Sequence, residues 1–179
     1  MIVRMANTIS PNGYIARLNG EEDWLSSANW FDFLKEAKEF DNFVMGRETY
    51  ELVMRLYKDH NFDSVDVKYK VIVTRQDFKA PSNYQVVHSP QEAVEFLEGE
   101  GLEKIFLVGG GKLNAEFAKA GLINEISLTI EPYMIGEGRQ VLASGNYEFP
   151  LELKKTEELS GGRVRLVYKV KSGKNWGGL

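Results

Sequence analysis

Residues 104–113 read Lys104-Ile105-Phe106-Leu107-Val108-Gly109-Gly110-Gly111-Lys112-Leu113. The apolar run from Ile105 to Val108 predicts a buried strand over Lys104 to Val108. Three glycines then predict a tight turn, and Lys112 to Ala120 continues as a helix. A strand that ends in glycines and opens a helix is half of a βα unit. The first N–H groups of that helix lack partners and sit at the positive end of its dipole, so they suit an anion such as a phosphate.

A second turn of this kind lies upstream, at Val44-Met45-Gly46-Arg47-Glu48-Thr49. Asn42 to Met45 is a short apolar strand, and the helix after Gly46 carries Tyr50, Val53, Met54 and Tyr57 on its inner side. Two such helix starts on one parallel sheet could hold the two ends of a dinucleotide. The glycines let the backbone approach a pyrophosphate, and Arg47 can fork onto a phosphate.

Working outward, Met1 to Ile9 is a strand, Ser10-Pro11-Asn12-Gly13 a turn, and Tyr14 to Ala16 extended. Ser27 is placed to cap a helix with Trp30, Phe33, Leu34, Ala37 and Phe40 at helical spacing. Residues 58–67 read as a polar loop. Tyr69 to Thr74 and Tyr84 to Val87 are strands, and Ser89-Pro90-Gln91-Glu92 is a capping box with proline at the first helical position. Glu125 to Glu131 is a further strand. Leu151 to Leu159 and Arg163 to Lys171 form a hairpin in which Val164, Leu166, Tyr168 and Val170 alternate with charged residues. Alternating strands and helices predict an α/β fold with right-handed crossovers. The expected fold is a single α/β domain over 1–172, with a mostly parallel central sheet, an antiparallel C-terminal hairpin and helices on both faces. Residues 173–179, with Trp176, read as a flexible Gly-rich tail.

Composition narrows the function. The chain has 179 residues, 22 Lys and Arg against 26 Asp and Glu, and a net charge of −4. No nucleic-acid partner is expected of so acidic a chain. With no cysteine and only His60 and His88, a metal site, a disulfide framework and thiol catalysis are not expected. No apolar run is long enough to span a membrane, and no signal peptide is visible, so a cytoplasmic protein is expected. Standard motifs fail. Asn114 occupies the third glycine position of G-x-G-x-x-G, and Leu113 stands where a Walker A loop needs Ser or Thr.

The ordered set of segments resembles the dihydrofolate-reductase-like superfamily. It is most similar to the C-terminal reductase domain of the bifunctional riboflavin-biosynthesis deaminase/reductase and its stand-alone relatives. The segments carrying the resemblance run from Ile2 to about Leu142. They are Ser10 to Ala16, Asp23-Trp24-Leu25, Val44 to Tyr50, Val71 to Arg75, Phe106 to Leu113, Gly121 to Glu125 and Leu128 to Gly138. The resemblance implies an NADPH-dependent reductase of a small heterocyclic substrate. It implies that Gly46, Arg47, Glu48 and Thr49 bind cofactor phosphates, and that Thr74 and Arg75 lie beside the adenosine 2′-phosphate, with His88 near the adenine. Gly109, Gly110, Gly111, Lys112 and Leu113 would cover the pyrophosphate, with a cis peptide between Gly109 and Gly110. Thr8 and Ile15 would hold the nicotinamide carboxamide.

On the substrate side, the resemblance places Asp23 and Trp24 in a loop over the site and turns Thr129 toward the substrate. In dihydrofolate reductase an acid on the first helix assists protonation. Trp30 occupies that position here, and the nearest acid is Asp32. Trp30 also fits the apolar stripe of its helix, where it would be core. The best-named substrate is the phosphoribosylamino-pyrimidine of riboflavin synthesis, with Lys35 and Arg139 as candidates for its phosphate. Dihydrofolate reductase and a non-catalytic NADPH-binding protein are the alternatives. The exposed edge of the hairpin predicts a homodimer.

Overall fold

The computed structural model describes residues 1–57 and 62–171. The expected tail at 173–179, with Trp176, and His60 lie outside the described residues. In chain order the elements are β1 (Ile2–Ile9), β2 (Tyr14–Ala16), α1 (Ala28–Phe40), β3 (Asn42–Gly46), α2 (Arg47–Leu56), β4 (Tyr69–Val73), β5 (Gln85–Val87), α3 (Pro90–Gly99), β6 (Lys104–Gly109), α4 (Gly111–Lys119), β7 (Glu125–Ile130), β8 (Arg139–Gln140), β9 (Leu151–Glu158) and β10 (Val164–Val170). Eight strands form one sheet in the order β5-β4-β3-β6-β1-β7-β10-β9. The pairs from β5 to β7 are parallel. β10 then pairs antiparallel with both β7 and β9, so the hairpin closes one edge as expected.

Each face of the sheet buries its own core. On one face α1 and α2 pack Ala37, Phe40, Tyr50 and Val53 against Phe43, Met45, Ile72 and Phe106. Opposite, α3 and α4 pack Ala93, Leu97, Phe117 and Ala118 against Val44, Val71, Ile105 and Leu107. Odd and even residues of β3 thus serve opposite cores, as the period of two requires. Helices on both faces follow from right-handed crossovers running first toward the β5 edge and then back.

Local signals behave unevenly. Ser89 Oγ accepts the Glu92 N–H at 3.1 Å, as a capping box requires. The Glu92 carboxylate reaches one residue further than expected and accepts the His88 N–H at 2.8 Å. Ser27 precedes α1 but has helical angles and makes no side-chain cap. The described part of the 58–67 loop is less polar in effect than in composition, because Phe62 and Val65 are buried. β8 was not foreseen. It is two residues long and pairs with β2 in a ribbon outside the main sheet.

β3 and β6 are joined weakly. Only Val44↔Leu107 and Met45↔Gly109 pair, with a slip in register between them. The fully buried Asn42 compensates at the other end. Its Nδ2 donates to Phe40 O and Lys104 O, both at 2.8 Å, and its Oδ1 accepts the Phe106 N–H at 3.2 Å. Asn42→Ala leaves these main-chain groups buried without partners. We expect a loss of about 3 kcal/mol of unfolding free energy, read as a lower urea midpoint at unchanged slope. A loss under about 0.5 kcal/mol, the range of ordinary surface substitutions, would contradict this account.

Candidate active site

The slip between β3 and β6 opens the sheet. α2 leaves the end of β3 toward one face, and α4 leaves the end of β6 toward the other. Strand order reverses at this point, where open α/β sheets form a crevice at their carboxyl ends. A cleft of about 1380 Å³ occupies it, walled by both helix starts, by α1 and by the β2–α1 loop. That is ample for a ligand larger than a drug-sized molecule.

At one end of the cleft the two glycine-bearing turns meet. The Gly109–Gly110 peptide is cis, as the resemblance implied, and Gly109 has φ +99°, a conformation that favours glycine. Thr49 Oγ1 accepts the Gly110 N–H at 2.7 Å and so ties the start of α2 to that of α4. Gly111 is required by space, since a Cβ there would lie 2.2 Å from Gln140 O. The 138–144 segment therefore lies directly against the start of α4, held by Ala143 N–H to Gly111 O at 3.0 Å. Gly46, Gly110, Lys112 and Leu113 line the cleft, as do Thr74, Arg75 and His88. The His88 ring is fixed by a 2.9 Å bond between its Nδ1 and Thr74 O.

The cations at this end all have acidic partners. Arg47 holds both oxygens of Glu51 at 2.9 Å, Lys112 holds Glu48 at 3.0 Å, and Arg75 holds Glu116 at 2.8 Å. Lys112 and Arg75 are each 80% exposed. Exposed pairs of this kind are worth about 0–1 kcal/mol, so an incoming anion displaces the carboxylates at little cost.

The other end is built across the sheet. Thr8, Thr129 and Arg165 stand in register on neighbouring β1, β7 and β10, on the face covered by α1. Thr8 donates its hydroxyl to Asn29 Oδ1, and Asn29 Nδ2 donates to Glu131 at 3.4 Å. Arg165 Nε donates to Thr129 Oγ1 at 3.2 Å, and its guanidinium reaches Glu36 at 3.0 Å. Asp32 lines the cleft with its carboxylate 2.7 Å from Arg163, whose side chain is 3% exposed. Burial pushes the Glu36 carboxyl up, while Arg165 opposes the shift. The alternation in the second arm of the hairpin, Arg163 to Lys171, predicts a half-buried strand with its charged residues toward solvent. That expectation fails for Arg163 and Arg165, because α1 supplies two acids one turn apart to receive them.

The expected loop residues separate. Asp23 lines the cleft, and a hydrogen bond from Arg17 at 2.5 Å holds its carboxyl below the usual range. Trp24 corrects the expectation, since it is buried and stacks on Tyr133 with centroids 6.3 Å apart, away from the cleft lining. Trp30 does both, stacking on Phe33 at 5.1 Å while also lining the cleft. Ile15 and Arg139 line the cleft, with Arg139 Nε donating to Leu18 O at 3.1 Å, whereas Lys35 does not. Glu22 was missed. Glu22 lines the cleft, and burial pushes its carboxyl up to about 7. Sequence offered no signal to separate it from Glu21 and Asp23.

The family model of the RibD C-terminal domain matches residues 1–164. The chain belongs to the RibD C-terminal domain family. That places it among proteins of the riboflavin-biosynthesis reductase type. The uncharacterized protein YyaP of Bacillus subtilis is 24% identical over 177 residues, covering 94% of this chain and 93% of its own. A pyrimidine reductase-like protein from Corynebacterium diphtheriae shares the fold with a TM-score of 0.74 at 15% identity, over 96% of this chain and 92% of the other. So does the diaminohydroxyphosphoribosylaminopyrimidine deaminase/5-amino-6-(5-phosphoribosylamino)uracil reductase of Thermotoga maritima, with a TM-score of 0.70 at 16% identity. The match covers 95% of this chain and 56% of that bifunctional one. No helix of the described residues is long and apolar enough to cross a membrane.

The Thr49 bond bears directly on the family's glycine turn. Thr49→Val removes the acceptor for the Gly110 N–H and is expected to cost about 1–3 kcal/mol in chemical denaturation. Thr49→Ser keeps the acceptor and is expected to recover most of that loss. Equal stability of the Val and Ser variants would refute the role given to this bond.

Proposed function

We propose that the protein is an NADPH-dependent reductase of a small heterocyclic substrate. The observation that carries this reading is the meeting of two helix starts, α2 and α4, across the opening between β3 and β6. The cleft fits the cofactor in kind, since those starts present main-chain N–H groups and exchangeable cations to anions. In this reading Arg47, Glu48 and Thr49 at one turn and Gly110 to Leu113 at the other hold the phosphates. Arg75 takes the 2′-phosphate, with Thr74 and His88 beside the adenosine. Main-chain groups of Thr8 and Ile15 hold the carboxamide. When bound, NADPH supplies the hydride. The chain's own contribution is then to orient the substrate and exclude water, which carries much of the rate of such a reaction.

The substrate favoured by family membership is 5-amino-6-(5-phosphoribosylamino)uracil, whose ribosyl group is reduced to a ribityl chain. Thr129, Trp30, Asp23 and the Asp32 pair form the wall that would face it. Folate is the weaker alternative, because Asp32 is already committed to Arg163 at 2.7 Å and offers no free acid to a pterin.

Binding tests the reading before any turnover assay. Tryptophan fluorescence titration is expected to give a micromolar Kd for NADPH, at least tenfold (about 1.4 kcal/mol) tighter than for NADH. Arg75→Ala is expected to remove most of that preference and leave NADH binding nearly unchanged. Absence of binding to either nucleotide would sink the proposal. We also propose a homodimer through the β9 edge. Light scattering is expected to give twice the 20.3 kDa of one chain, and a mass of 20.3 kDa would rule the dimer out.

A further inference from the structure

Six acids line the cleft, and five of them are paired with a cation. Asp23 meets Arg17 at 2.5 Å, Asp32 meets Arg163 at 2.7 Å, and Glu36 meets Arg165 at 3.0 Å. Glu48 meets Lys112 at 3.0 Å, and Glu116 meets Arg75 at 2.8 Å. Glu22 alone has no ion pair among the described residues. A carboxyl drawn out of water without a counter-charge is unfavourable when ionised, and Glu22 is accordingly raised above the usual carboxylate range.

The loop fixes this residue without neutralising it. Glu22 donates its main-chain N–H to Tyr57 Oη at 2.6 Å, and its carbonyl accepts the Leu25 N–H at 3.0 Å. Gly20, two residues earlier, packs so closely on α2 that a Cβ there would lie 2.4 Å from Leu52. Among the described residues, Tyr57 on α2 and Glu21 and Asp23 on its own loop lie around Glu22, and Arg17 of that loop is taken up by Asp23. Arg139 of β8 approaches the same loop at Gly20 but is bonded to Leu18 O.

We propose that Glu22 is the proton donor of the reduction, the acid that protonates the heteroatom of the substrate's reducible C=N or C=O bond. This rests on the reductase reading above. Reduction of such a bond needs one hydride, supplied by the reduced nicotinamide, and one proton. A C–H bond forms at carbon, and the π electron pair moves to the heteroatom. The O–H bond of Glu22 breaks as the N–H or O–H bond of the product forms, and water returns a proton to the carboxylate between turnovers. The five paired acids are each engaged by a cation, whereas Glu22 has no such partner among the described residues.

Glu22→Gln keeps the shape and removes the transferable proton. With NADPH and 5-amino-6-(5-phosphoribosylamino)uracil, kcat is expected to fall about 100-fold while the Kd for NADPH stays within twofold. The wild-type kcat is expected to decline as pH rises through about 7, and the variant to lose that limb. Unchanged kcat and pH profile, or a rise in KM alone, would overturn the proposal and leave the reductase reading standing. Loss of NADPH binding by the wild type would instead remove both.

Thermal unfolding gives a readout free of activity. A carboxyl raised in the folded state contributes stability that is present at low pH and lost as pH rises through its folded value. From about pH 5 to about pH 8 the wild type is therefore expected to lose several degrees of Tm relative to Glu22→Gln. Parallel Tm curves would show that Glu22 ionises like an ordinary surface acid, and the proposal would fail.

Discussion

Two strands that lie side by side must send their helices to opposite faces. That constraint organises this molecule. β3 is followed by α2 on one face and β6 by α4 on the other, so the strand ends cannot stay paired as the chain leaves the sheet. The ladder between them shrinks to two residue pairs with a slip. Asn42 restores the missing bonds at the far end, and Thr49 bridges the opened end through the Gly110 N–H. Between those two side chains the sheet is free to part, and the cleft is the result.

Charge is arranged around the opening in two grades. At the outer end, Arg75 and Lys112 hold acids in pairs that water already screens. Deeper, Arg163 and Arg165 meet Asp32 and Glu36 where solvent is largely excluded, so removing one partner strands a charge. The outer pairs can be exchanged and the inner ones cannot.

The frame was legible because its signals are local. Gly109-Gly110-Gly111 and Gly46-Arg47 marked both turns, and the alternation in β10 marked the hairpin. Pro90 with Ser89 and Glu92 marked the start of α3. The failures have long-range causes. Arg163 and Arg165 looked like a solvent face because their acids lie more than a hundred residues away on α1. Trp24 was drawn from the cleft by Tyr133, a partner that no spacing along the chain reveals. β8 was invisible because two residues carry no periodicity, and its place is set by the bare backbone of Gly111 against Gln140 O and of Gly138 against Ala16 O. Glu22 stood out only once its neighbours' partners were known.

The position of β1 has a consequence for synthesis. This strand precedes all the other described strands, yet it ends between β6 and β7, whose residues begin at Lys104 and Glu125. Neither neighbour exists until the chain has been made as far as Lys104 and Glu125. The apolar Val3 and Met5 must therefore wait without a sheet partner while α1, β3, α2 and β4 gather on their own. Long-range parallel pairing of this kind is slow and leaves strand edges open in the meantime. The central strand thus gains both its neighbours only after β7 is made, and its edges stay open until then.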